Sequence, residues 1–266
     1  MKTQLMVEIK DPARAKHHNF IIKEVNGWCG YKLPKNIHIL DIGCGVGELS
    51  IVLGNLGYNV LGLDIHEPSV MEAKRRNIID NVFFRCQDAM DLNLENKFDI
   101  IILSDVLEHL CSPEKTINKV NYLLKIGGIL IITIPNGYGP SEVLRRIYHK
   151  YLLNSPMHSM LRRSRRIFIK DSDWRPNSEK ATTSLGSADI FPHVQFFTFQ
   201  NLKTLLRSGK LRFVKRKNGS FISSVYIFKL LFETFLVFKK IDILFADILP
   251  SFLVSSWFIV VKNGDS

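Results

Sequence analysis

Apolar residues in this chain fall into two patterns that alternate: short continuous runs, and stretches at helical spacing. Residues 12–28 place Ile21, Val25 and Trp28 on one helical face. Pro34 and Asn36 mark a turn. "IHILDI" is a nearly unbroken apolar run, as expected for a strand covered on both faces. Leu49, Val52, Leu53 and Leu56 form a helical stripe that Gly57 ends. "NVLGLD" predicts a second strand, 67–77 a charged helix, "VFFRC" a third strand and "KFDIIILSD" a fourth. Ile117, Val120 and Leu124 predict a helix closed by the glycines of "KIGG", and "ILIITIP" a fifth strand stopped at Pro135.

Five such alternations mean βαβ units and a parallel sheet with helices on both faces. The rhythm breaks after Asn136. Residues 137–192 hold no clear strand, and a structureless loop of that length is unusual, so they read as a partly helical insertion or lid. "FTFQNLKTLLRSGK" restores a helix with Leu202, Leu205 and Leu206 on one face. "LRFVKRK" and "SSWFIVVK" predict two last strands. Between them Ile241, Leu244, Phe245, Ile248 and Leu249 predict an amphipathic helix. Its apolar side is expected to pack on the sheet, with a bilayer surface as the competing reading.

The length of 266 residues suits a single domain, 1–266, and the 46% hydrophobic content is enough for a large core. A net charge of +11 favours an anionic partner without choosing among phosphate, lipid and nucleic acid. Cys29, Cys44, Cys86 and Cys111 form no C-x-x-C pair and no zinc-type spacing with histidine, so no metal is expected. Scattered free thiols suit a reducing compartment, and the first residues lack a secretory apolar core, which together predict a cytoplasmic protein. Charges and Pro250 interrupt the apolar C-terminal region, which argues against a membrane span.

The chemistry gathers after the first strand. In "ILDIGCGVGELS", Gly43, Gly45 and Gly47 allow positive φ and close approach of a ligand to the main chain. The following helix aims free N–H groups at the same spot. The spacing G-x-G-x-G puts Glu48 where a dinucleotide site has its third glycine, and the Lys-Ser/Thr of a phosphate-binding loop is missing. NAD and nucleoside triphosphates are therefore disfavoured. Asp64, ending the second strand, is placed to accept from ribose hydroxyls. Asp88, with the Ala89 N–H, is placed to read an adenine edge, and Ile65 to cover its face. An adenosine with a short zwitterionic tail fits this set.

"ILDIGCGVGELS", "LGLDIHE", "CQDAM", "FDIIILSDVLEHL" and "LLKIGGILIITIPN" together resemble the motifs of class I S-adenosylmethionine-dependent methyltransferases. The nearest branch contains the ubiquinone-biosynthesis O-methyltransferases and related bacterial small-molecule enzymes. The resemblance covers about residues 37–136 and continues in "FPHVQFFTFQNLKTLLRSGKL". It implies a Rossmann-like, doubly wound α/β/α fold with seven strands, mostly parallel, the last antiparallel. It implies S-adenosyl-L-methionine as cofactor and S-adenosyl-L-homocysteine as product. The loop Asp41–Gly47, with Gly43, Cys44 and Gly45, would hold the methionine moiety, Asp64 the ribose, and Asp88 and Ala89 the adenine. Ser104, Asp105 and Val106 would line the cofactor, and His109 would face the sulfonium region.

An oxygen acceptor also needs a proton removed, and His193 and His109 are the candidate catalytic bases. The "NPPY"-type signature of amine-modifying relatives is absent where "SDVLEH" stands. Arg145, Arg146, Lys150, Arg162, Arg163, Arg165, Arg166 and Lys170 crowd the insertion and suit a phosphate-bearing acceptor or a solvated face. The expectation is methyl transfer to oxygen on a small molecule, a glycan or a lipid precursor, with peripheral membrane contact as an option. RNA methylation, nucleotide-dependent oxidoreduction and a non-catalytic membrane-associated module are the competitors.

Overall fold

The protein is described by a computed structural model covering residues 11–147, 193–221 and 236–264. Seven strands form one sheet: β1 (His38–Ile42), β2 (Asn59–Asp64), β3 (Val82–Cys86), β4 (Phe98–Ser104), β5 (Leu124–Pro135), β6 (Leu211–Asn218) and β7 (Ser256–Asn263). Their spatial order is β3-β2-β1-β4-β5-β7-β6, parallel from β3 to β5, with β7 antiparallel to both neighbours. The expected Rossmann-like sheet is present. Strand order reverses between β1 and β4, which opens a crevice at their carboxyl ends.

Alternate residues of the central strands feed two cores. Ile39, Ile100, Ile102, Ile129 and Ile131 pack with Phe20, Ile21 and Val25 of α1 (Pro12–Cys29), Leu49 and Leu53 of α2 (Glu48–Asn55) and Val70 and Ala73 of α3 (Glu67–Arg76). Leu40, Ile101, Leu103, Ile132 and Ile134 pack with Ile117 and Val120 of α4 (Pro113–Leu123) and with Leu202, Leu205 and Leu206 of α6 (Phe199–Ser208). Burial on both faces is why these strands read as continuous apolar runs. α5 (Pro140–Ile147) follows β5, and α7 (Leu236–Ile248) precedes β7.

Two expectations need correction. α4 stops at Leu123, and Leu124 already pairs with Phe98 as the first residue of β5. A register shift between Phe98 and Ile100 absorbs the glycines of "KIGG" inside the strand. Most of the predicted apolar stripe does not pack on the sheet: Ile241, Leu244, Phe245 and Ile248 are exposed, and of the stripe only Leu249, just past the end of α7, packs against the core. The helix is held from its other side. Lys16 Nζ on α1 donates to Ile243 O and Asp247, and Asn218 Nδ2 donates to Ala246 O and Leu249 O. Within α7, Ala246 is the residue that enters the core. Of the predicted insertion, α5 is described; residues 148–192, with Lys150, Arg162, Arg163, Arg165, Arg166 and Lys170, lie outside the described residues.

Candidate functional site

The crevice floor is the turn from β1 to α2. Gly43 N and Cys44 N donate to Leu63 O at 2.7 and 2.9 Å, which lays the turn across the end of β2. Gly43, Gly45 and Gly47 have φ of 76, 54 and 78°. Two of them serve different purposes. A Cβ on Gly47 would lie 2.5 Å from Phe84 Cζ, so that glycine answers to packing beneath the turn. A Cβ on Gly45 would meet nothing within 4 Å, so its main chain faces open space.

Asp64 fixes that main chain. One carboxylate oxygen accepts from Gly45 N at 2.8 Å, the other from His66 N at 2.8 Å, and the residue is 6% exposed. Gln87 N donates to Asp64 O at 2.9 Å, which brings the end of β3 alongside. There Asp88 Oδ1 accepts from Met90 N at 2.8 Å and Ala89 O accepts from Thr116 Oγ1 at 2.9 Å, both residues half-buried. Ile65 projects outward, exposed. Asp41 turns into the interior instead, where Ser50 Oγ donates to its Oδ2 at 2.5 Å, and burial pushes its carboxyl up to about 6. Burial also pushes the Cys44 thiol up, so it stays a neutral thiol.

The opposite wall follows β4. Val106 packs so closely on Gly43 that a Cβ there would lie 2.4 Å from its Cγ2. Asp105 sits at φ 53°, held by its N–H to Thr133 O at 3.0 Å and by Thr133 Oγ1 donating to its Oδ1 at 3.2 Å. Asp tolerates this left-handed conformation better than most residues. His17 of α1 reaches the same place, with Nε2 3.0 Å from Ser104 Oγ and 3.1 Å from Thr133 Oγ1. Burial lowers the pKa of its imidazole, with Asp105 opposing.

A 3-10 turn, Leu107–His109, points Glu108 inward. Its side chain is 2% exposed, and Oε2 has no hydrogen-bond partner. Burial, then the Asp105 charge, push its carboxyl well above the usual range. Val194 N and Gln195 N donate to Glu108 O at 2.9 and 3.0 Å. These two bonds seat His193 against His109, with ring centroids 5.0 Å apart at 70°. His193 Nδ1 is 3.4 Å from Glu142 Oε2 on α5. Arg146 does not stand free for an anion: it lies over the Phe196 ring at 4.2 Å and 3.6 Å from Glu142 Oε1.

The fold thus gathers the glycine turn, Asp64, Asp88, Ala89, Asp105 and Val106 around the ends of β1 to β4 and sets the two candidate histidines side by side, while Asp41 faces the interior and Ile65 the solvent. His17, Ser50, Glu108, Thr133 and Glu142 are additions that sequence reasoning missed. Glu108 stood inside the quoted "SDVLEH" motif, whereas Glu142 lay in a segment read only as a basic insertion. Among the described residues no helix is long and apolar enough to cross a membrane.

A family model described as "Methyltransferase domain" matches residues 33–181, more than half of the chain. The ubiquinone biosynthesis O-methyltransferase of Coxiella burnetii is 36% identical over 123 residues, 45% of this chain and 53% of that protein. The malonyl-[acyl-carrier protein] O-methyltransferase of Bacillus anthracis is 32% identical over 105 residues, 39% of each chain. The chain therefore spans about half the length, or less, of these curated relatives. Among solved structures, magnesium protoporphyrin IX methyltransferase from Synechocystis with bound S-adenosylhomocysteine superposes with a TM-score of 0.55 at 17% identity. That match covers 94% of this chain and 84% of that one, and it speaks for the fold.

Proposed function

The chain belongs to the methyltransferase domain family, and from that premise we propose that it moves the methyl group of S-adenosylmethionine to an oxygen of its acceptor. The acceptor class is a small molecule or a glycan or lipid precursor. The observation that carries the reading is the open main chain at Gly45, held by a buried Asp64 whose carboxylate keeps lone pairs for a ribose. When bound, S-adenosylmethionine supplies a methyl carbon activated by a sulfonium. In this reading the Gly43–Gly47 main chain takes the amino-acid tail, with Asp41 bracing the turn through Ser50. Asp64 takes the ribose, and Asp88, Ala89 and Ile65 the adenine. Ser104, Asp105 and Val106 line the methyl end, and the His109–His193 pair stands where an acceptor oxygen would lose its proton. Alignment of the reacting atoms can lower the barrier of such transfers by up to roughly 7–11 kcal/mol in ideal cases.

Both of these relatives are named as O-methyltransferases, which supports oxygen over nitrogen or carbon. The exposed face of Ile241, Leu244, Phe245 and Ile248 supports a lipid-borne acceptor met at a membrane surface. Calorimetry with S-adenosylhomocysteine and with NAD tests the cofactor half: binding of the first alone is expected, and binding of NAD alone would return the site to an oxidoreductase. His193→Ala should lower turnover of an acceptor found by labelled-methyl screening and leave S-adenosylhomocysteine affinity alone. A salt-dependent RNA affinity with methyl incorporation into RNA would move the acceptor to nucleic acid.

A further inference from the structure

We propose that the cavity between α6 and β6 is a second binding site, separate from the methyl-transfer crevice, and that it takes a small phosphate-bearing anion. It lies at the other end of the sheet. The crevice opens at the carboxyl ends of β1 and β4, whereas Leu211 begins β6 opposite Asn263, and the neighbouring Lys262 faces Ile129, early in β5. The cavity holds about 400 Å³, within the usual size range of small-ligand sites. Leu206 and Leu211, both buried, and the half-buried Phe213 give it apolar walls. Lys203, Arg207, Lys210 and Arg212 supply the charge along its lining.

Three observations point to an anion. Lys203 and Arg207 stand one turn apart on α6, where like charges repel, and among the described residues no carboxylate pairs with either of them, with Lys210 or with Arg212. Lys203 Nζ lies 5.8 Å from the centroid of the Phe213 ring, so its ammonium stands at the cavity wall. Lys210 has a φ of 57°, the left-handed conformation that glycine or asparagine usually fills just after a helix. Lys210 N donates to Arg207 O and Gly264 N donates to Lys210 O, both at 2.9 Å, and these bonds hold the strained residue in place. Strain kept at a position where a glycine would relax it is a mark of a side chain with a task.

A simpler cause accounts for part of the cluster. The negative end of the α6 dipole favours a cation at Arg207, in the last turn. That effect fades within one turn, so it leaves Lys203 unexplained, and it does not explain why the charges share a hollow with apolar walls. An anion does. An arginine fork grips phosphate oxygens in pairs, and lysine ammoniums add point charges beside it. The apolar walls then cover the organic part of the ligand. A hollow of this size favours a small molecule over a polynucleotide or a bilayer, which would need a wider charged surface.

The test titrates the tag-free full chain calorimetrically with inorganic pyrophosphate and with glycerol 3-phosphate. One equivalent of at least one of them should bind. Lys203→Gln and Arg207→Gln should each weaken it roughly 10-fold or more, as loss of a charge-assisted hydrogen bond does. Lys210→Gly should weaken it similarly yet melt no lower than the parent, because the glycine relaxes the backbone. Lys74→Gln, which removes the same charge from an exposed position on α3, should change nothing. S-adenosylhomocysteine affinity should be the same in every variant and with or without pyrophosphate, and circular dichroism should show each variant folded. Failure of both probes to bind overturns the site. So does equal weakening by Lys74→Gln, which would mean general attraction to a basic chain, and so does competition with S-adenosylhomocysteine, which would put the anion in the crevice. Binding of single-stranded RNA or of phosphatidylglycerol vesicles that depends on Lys203 and Arg207, with both small probes inert, overturns it in favour of a macromolecular surface. A folded parent that binds pyrophosphate but not S-adenosylhomocysteine removes the methyltransferase reading and leaves this site standing.

Discussion

At the scale of single residues, Asp64 decides whether the crevice is a nucleoside site. Its two oxygens already accept from Gly45 N and His66 N, so the carboxylate is oriented before any ligand arrives. A preoriented charged acceptor loses little freedom on binding, so its ribose bonds should be worth more than those of a mobile side chain. Asp64→Ala should weaken S-adenosylhomocysteine binding by about 1–3 kcal/mol, measured by calorimetry. An unchanged affinity in the folded variant removes Asp64 from the ribose role. The carboxylate could be found from the chain because it ends a strand just after a glycine turn. Its second task, holding Gly45 N, could not, because that hydrogen bond spans two βα units.

At the scale of elements, the β1–α2 turn sets a glycine required by packing, Gly47, beside one that faces open space, Gly45. Gly45→Ala adds a methyl group to open space at φ 54°, which costs roughly 1–2 kcal/mol of backbone strain. Gly47→Ala carries the same kind of strain and also drives a methyl group into Phe84, for a further 1–3 kcal/mol or so. Gly47→Ala should therefore show the larger fall in melting temperature. Gly45→Ala should stay folded while losing S-adenosylhomocysteine affinity. The reverse ranking, or a Gly45→Ala protein that binds as the parent does, would show that the open space is not the ligand's. α7 teaches the opposite lesson about patterns. Its apolar stripe has helical period, yet Lys16 and Asn218 anchor the helix by its polar and small side and leave the stripe outward. Periodicity shows that a face exists but not which way a peripheral helix turns it.

For the whole molecule, the site is maintained at a cost in stability. Asp41 lies in the interior, where Ser50 Oγ donates to it, and burial raises its carboxyl from the ordinary 3.8 to about 6. Below pH 3.8 both folded and unfolded chains hold the proton, and the residue costs nothing through ionisation. Between the two values the unfolded chain ionises while the folded one does not, so stability falls as pH rises. Above about 6 the loss is complete, on the order of 3 kcal/mol. Asp41→Asn keeps an acceptor for Ser50 and removes the ionisation. Relative to the parent, its melting temperature should improve from pH 4 to about pH 6 and then level off. A difference that does not change with pH would mean that Asp41 is not buried as a charge.

The chain alone determined the alternation of strands and helices, the glycine turn, and the acids that end β2 and follow β3. All of these depend on local spacing: a strand covered on both faces must be apolar throughout, and a turn that approaches a ligand must lack side chains. It also supplied His109 and His193 as separate candidates. Only the tertiary structure decided that these two rings meet, that Glu108 Oε2 is buried near them without a hydrogen-bond partner, and that His17 reaches Ser104 and Thr133 from the first helix. Those contacts join residues far apart in the chain, and their geometry is set by how helices seat on the sheet, which no local pattern of apolar and polar positions encodes.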